Sequence, residues 1–186
     1  MGKIGDYLSQ SKQSNILAAL IIFFASTQLG LHFWPSSSLV YGIRVAYLAP
    51  PINFLDILII FYLFLKQQTI HNLKNILPGL TYLLPIALTC LLYSANPLST
   101  LAWLIHFFLY LLFLYSFEIQ LLQYVLPVAA LCQIIVAGTQ VLLGHSIGGL
   151  LYFVGERNVA VGSPGIALTT FMDKVILRAY GTFSHP

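Results

Sequence analysis

Near the end of the chain, residues 163–181 read Ser163-Pro164-Gly165-Ile166-Ala167-Leu168-Thr169-Thr170-Phe171-Met172-Asp173-Lys174-Val175-Ile176-Leu177-Arg178-Ala179-Tyr180-Gly181. Ser163 before Pro164 is a helix-start signal, because a serine oxygen accepts an orphan backbone N–H and proline suits the first helical position. Leu168, Phe171, Met172, Val175, Ile176 and Ala179 then recur at helical spacing. Thr170, Lys174 and Arg178 are four apart and form a polar row on the other side. The pattern predicts an amphipathic helix over about 164–180, lying in the membrane–water boundary rather than across the bilayer. Gly181 ends it with a left-handed turn.

Composition sets the solvent. Apolar residues make up 59% of the chain and charged residues 7%, against about a quarter charged in soluble domains. So little charge cannot cover a water-facing surface, which predicts an integral membrane protein. The net charge of +3 is spread along the chain and gives no nucleic-acid signal. Cys90 and Cys132 lie in apolar runs without metal-site spacing and read as free thiols. No cleavable signal peptide is evident, so the first apolar run is expected to stay as an anchor.

Upstream of the organising stretch the chain reads as membrane spans over about 15–33, 52–65, 76–93, 98–117 and 121–143. Residues 1–143 are thus expected to form a helix bundle, and 144–186 a segment outside it. The predicted fold class is an all-α integral membrane protein, with about five transmembrane helices and an outer interfacial amphipathic helix. Residues 35–51, with Ser36-Ser37-Ser38, Tyr41, Arg44 and Tyr47, read as a loop with partial strand or interfacial character. Lys3, Lys12, Lys66 and Lys74 fall on one side of such a bundle and Arg44 on the other, which favours a cytoplasmic N-terminus. An odd number of spans then puts residues 144–186 on the outer face.

The run Leu177-Arg178-Ala179-Tyr180-Gly181-Thr182-Phe183-Ser184-His185-Pro186, with Gly155-Glu156-Arg157 and Ser163-Pro164-Gly165-Ile166-Ala167 before it, resembles the bacterial O-antigen ligase and O-antigen polymerase family, at the start of the family's core. The motif covers about a quarter of the chain; the helices before it are generic. Family members continue with an asparagine and further membrane helices, so the resemblance implies an N-terminal portion that is inactive alone. It implies a glycosyltransferase of the bacterial cytoplasmic membrane that serves lipopolysaccharide and other cell-envelope polysaccharide synthesis. The donor would be a polyprenyl-diphosphate-linked glycan, and the acceptor a lipid A core or a growing glycan. No metal or cofactor is implied, and the general base would come from the C-terminal half.

By the same resemblance, Arg178 matches the family's outward-facing arginine and would hold the donor diphosphate. A guanidinium suits that role, being always charged and matching phosphate oxygens bidentately. Anchoring among lipid phosphates is the plainer reading of the same residue. Lys174 and Arg157 are secondary diphosphate candidates, Lys174 equally a snorkelling lysine. Glu156 and Arg157 read as a local ion pair, a loop cap or part of an acceptor cleft, and Gly181 as support for the turn. The family's histidine belongs to a later loop, so His185 takes no role, and His145 reads as an interfacial polar residue.

Asp56, one turn inside a span and near Asn53, is a functional candidate because an intramembrane carboxylate is costly to bury. A pairing with Arg44 is the structural alternative. His106, mid-span, is expected to hydrogen-bond another helix. The rival function is a polysaccharide or lipid transporter or flippase, with Asp56 and the helix prolines lining a path. No Gly-rich phosphate loop, metal-ligand cluster or Ser-His-Asp arrangement is present in the sequence.

Overall fold

The computed structural model describes residues 2–27, 29–45, 48–66, 73–163, 166–178 and 180–182. Pro164, Gly165 and His185 of the sequence reading, with His71, lie outside them. The chain divides into two compact units, Met1–Ala18 with Gly30–Glu118, and Ala19–Leu29 with Ile119–Pro186. Helix α1 (Gly2–Phe23) contributes to both.

In the first unit, β1 (Gly30–His32) pairs antiparallel with β4 (Pro51–Asn53), Gly30 opposite Asn53. The register needs a glycine there: a Cβ on Gly30 would meet Asn53 Oδ1 at 2.9 Å and the Ile52 carbonyl at 3.0 Å. Between these strands, β2 (Leu39–Val40) and β3 (Ile43–Arg44) form a hairpin. Its turn, Tyr41 at φ 51° and Gly42 at φ 79°, has the double left-handed form whose twist matches that of paired strands.

Helix α2 (Phe54–Leu65) follows β4 directly, and Asp56 Oδ2 accepts the Asn53 N–H at 2.8 Å, closing its first turn. Leu55, Ile59 and Tyr62 are buried at helical spacing, and Tyr62 packs edge-on against Phe113 at 5.2 Å. That contact joins α2 to α4 (Pro97–Ser116), on which α3 (Leu73–Leu92) also packs. Pro97 and Asn96 start α4, Asn96 Oδ1 accepting the Ser99 N–H. At its other end Tyr62 Oη and Lys66 Nζ both donate to the Ser116 carbonyl, at 2.9 and 2.7 Å. A lysine on a last-turn carbonyl also opposes the helix dipole.

The second unit is built on α5 (Gln120–Leu143). Ala129, Gln133, Val136 and Gln140 form its inward stripe, while Leu126, Leu131, Ile134, Ile135 and Leu142 are exposed. Gly144, at φ 72°, caps it. Beyond a 3-10 segment at Gly149–Val154, β5 (Leu168–Phe171) and β6 (Lys174–Leu177) form a second hairpin, with β6 packed on α5. Val159, Leu177 and Tyr180 make a small core beneath it, and Tyr180 Oη accepts the Ala167 N–H at 2.7 Å.

Two expectations are corrected. The chain is not an all-α bundle of about five spans, because helices are joined by three two-stranded sheets among the described residues. Two described helices, Pro97–Ser116 and Gln120–Leu143, are long and apolar enough to cross a membrane; Lys12–Ser26, Phe54–Leu65 and Thr81–Leu92 are shorter apolar stretches. The expected first span breaks at Phe23, where a 3-10 turn and Thr27 lead into β1. The second is a helix of 12 residues, about 18 Å long at 1.5 Å per residue, short of a core of about 30 Å.

The interfacial helix over 164–180 is the second correction. Its centre is the β5–β6 hairpin, turning through Met172 at φ 48° and Asp173 at φ 61°. Thr169, Thr170, Val175 and Ile176 are β-branched and favour strand. Pairing sets Leu168 opposite Leu177 over the small core, which a helix would not bury together. The polar row dissolves too: Lys174 pairs with Phe171, while Thr170 pairs with Val175 on the opposite face. Left-handed backbone at Met172 costs about 1–2 kcal/mol. Residues 35–51 do carry the partial strand character read from the sequence.

Candidate functional site

The most organised polar cluster lies in the second unit around Glu156, a carboxylate 3% exposed. Its Oε1 accepts the Ile147 N–H at 2.7 Å and Gln140 Nε2–H at 2.8 Å, and its Oε2 accepts the Gly148 N–H at 2.7 Å. Three donors on one buried carboxylate offset the cost of removing it from water. The loop reaches this geometry through glycine: Gly148 has φ 75° and ψ −158°, a region essentially closed to other residues. Backbone bonds from Ser146 to Val159 and from Val161 to Gly144 clamp its base.

Gln140 is fully buried and joins this loop to the chain after β6. Its Nε2 also donates to the Gly181 carbonyl at 3.0 Å, and its Oε1 accepts the Gly181 N–H at 2.8 Å. Two turns earlier, Gln133 Oε1 accepts the Thr182 N–H at 3.0 Å, and its Nε2 donates to Ser26 Oγ and Thr182 Oγ1, both at 2.8 Å. Gly181 therefore serves twice. It adopts φ 60°, and a Cβ there would meet Gln133 Oε1 at 2.6 Å.

Beside Glu156 a cavity of about 440 Å³ opens, lined by Ser146, Gly148, Gly149, Tyr152, Glu156, Arg157 and Asn158. Ser146 Oγ donates to Asn158 Oδ1 at 3.3 Å on its wall. The lining offers an aromatic ring, a hydroxyl, an amide and a guanidinium, groups that stack on a sugar face, bond its hydroxyls and meet a phosphate. With both oxygens already accepting hydrogen bonds, Glu156 positions this wall.

Of the residues singled out in the sequence, Arg157, Glu156 and Gly181 belong to this cluster. Lys174 and Arg178 are exposed on the hairpin and do not line the cavity; the Arg178 N–H extends the ladder by donating to the Ala167 carbonyl at 3.2 Å. Asp56 lies in the first unit and its neighbour is His106, with Oδ1 and Nδ1 2.9 Å apart and both side chains buried. Arg44 instead lies over the Trp34 ring, 5.4 Å from its centre. The Asp56–His106 approach lacks hydrogen-bond alignment, and His106 Nε2 has no hydrogen-bond partner among the described residues. Among the described residues, no three His, Cys, Asp or Glu side chains stand close enough to hold a metal ion.

Sequence reading passed over Gln133 and Gln140. Their signal was two amides seven residues apart in the apolar part of the helix, a spacing that returns to the same face. Compared with models of protein families, with curated proteins and with solved structures, the chain finds no match.

Proposed function

We propose that this chain is part of a membrane glycosyltransferase of the O-antigen ligase or polymerase kind, which moves a polyprenyl-diphosphate-linked glycan onto an acceptor sugar. The observation that carries the reading is the cavity at the end of α5, a helix of membrane length. A donor whose lipid lies in the bilayer presents its diphosphate and first sugar at that level. Arg157 is then the diphosphate contact, since negative charge builds on the leaving group as the glycosidic bond breaks. Tyr152, Ser146 and Asn158 face the sugar, and Glu156 holds the loop. Arg178 and Lys174, on the hairpin, act on lipid phosphates instead. The reading places the cavity on the outer face of the bacterial cytoplasmic membrane.

The test is glycan attachment in cells carrying the full-length gene. Arg157→Ala is expected to lower transfer about a hundredfold, Arg157→Lys to retain part of it, and Arg178→Ala to retain most. Wild-type transfer by Arg157→Ala at normal expression would remove the proposal. The buried Asp56–His106 pair favours a second reading, a transporter or flippase, since such intramembrane pairs mark ion and proton paths. In that case Asp56→Asn abolishes function and Arg157→Ala spares it.

A further inference from the structure

The two hairpins share one construction. Tyr41 leads the β2–β3 tip at φ 51° and is 100% exposed; Met172 leads the β5–β6 tip at φ 48° and is 80% exposed. Left-handed backbone is disfavoured for bulky side chains, and turns of this form ordinarily carry Asn or Gly. An apolar side chain held there in water is unfavourable on both counts, and contacts within the chain do not offset it. Strain of this kind points from the observation to a function.

Each hairpin is tied to one end of a membrane-length helix in its own unit. Asn96, capping α4, donates through Nδ2 to the carbonyls of Ser37 and Leu48, which flank β2–β3, at 3.2 and 3.0 Å. Gln140, in the last turn of α5, holds Gly181 beyond β6 through both its amide atoms. The ends of a helix that crosses a bilayer lie at headgroup level, so these tethers hold the hairpins there. Each tip also has basic residues beside it. Arg44 pairs with Leu39, and Lys174 pairs with Phe171. On the second hairpin Lys174 and Arg178 outweigh Asp173.

We propose that both hairpin tips insert into the headgroup–acyl boundary of the bilayer that α4 and α5 cross, with Tyr41 and Met172 leading and the cations on lipid phosphates. This is independent of the glycan-transfer reading. Rigid turns keep the apolar side chains pointed, and the basic residues fix the depth.

The test uses the whole chain with Cys90→Ser and Cys132→Ser, reconstituted in vesicles of phosphatidylcholine and phosphatidylglycerol. Spin labels are placed singly through Tyr41→Cys, Met172→Cys, Leu131→Cys as the lipid reference and Ser163→Cys as the aqueous reference. At 41 and 172, collisions with oxygen are expected to exceed those with a water-soluble nickel chelate, as at 131 and opposite to 163. Nickel-dominated relaxation at the tips would overturn the proposal. So would protection from both relaxants, which would mean that protein covers them. Should a cysteine variant not fold, quenching of Met172→Trp by brominated lipid, read as the increment over Trp34 and Trp103, decides the same point.

Discussion

His106 Nδ1 lies 2.9 Å from Asp56 Oδ1 in the interior of the first unit, and Asp56 also closes the first turn of α2 through the Asn53 N–H. One carboxylate thus caps one helix and meets the imidazole of another. Removing either side chain takes from the other its nearest buried polar neighbour. His106→Leu is expected to destabilise the protein by about 1–3 kcal/mol, and Asp56→Ala by more because the cap is lost too. Combining the changes should cost clearly less than their sum, as thermal or denaturant unfolding in detergent will show. Strict additivity would mean that the pair is not coupled.

Gln140 supports a second prediction. Gln140→Leu leaves the Gly181 N–H and carbonyl buried without partners and takes one donor from Glu156, a loss of about 2–4 kcal/mol. Gln140→Glu should be worse, because it sets a second carboxylate against Glu156 and removes the amide donor. Hydrogen exchange at the Gly181 amide is the direct readout, and unchanged protection in Gln140→Leu would refute the assignment.

Glycines offer an internal control. Gly162 and Gly181 both have positive φ, but a Cβ at 162 meets nothing within 4 Å, whereas one at 181 meets Gln133 Oε1 at 2.6 Å. Alanine at 162 should therefore cost the backbone strain of about 1–2 kcal/mol. Alanine at 181 should cost that and about 1 kcal/mol or more for overpacking. Equal midpoints for the two variants would contradict the geometry.

Met172→Gly should separate fold from membrane contact. Relieving the left-handed methionine is expected to stabilise the hairpin by about 1 kcal/mol in detergent. The same change removes the leading apolar group and should weaken insertion of the tip. A lower unfolding midpoint would show that Met172 makes a stabilising contact within the protein.

Helices α4 and α5 were legible in the sequence nearly to the residue. Their apolar runs are uninterrupted, and Asn96-Pro97 and Gly144 are strong boundary signals. The hairpins were less so. Neither Tyr41-Gly42 nor Met172-Asp173 carries the Asn-Gly turn signature, and the apolar residues of 168–177 fit a helical period almost as well as alternation. What decided between them was Leu177 meeting Val159, a long-range contact that no local window contains. Arg157 and Glu156 stood out as charges in an apolar chain. Their anchoring through Gln140 depends on the same kind of distant pairing.

Gln133 and Gln140 have a consequence for how the chain is made. Each of these two amides has a partner in Gly181 or Thr182, Gly181 being forty-one residues beyond Gln140. Until the ribosome has delivered that segment, Gln140 has Glu156 and Gln133 has Ser26, but neither has its bonds to the chain after β6. A nascent chain interrupted before Gly181 is thus expected to fold less stably than the whole, for want of those bonds.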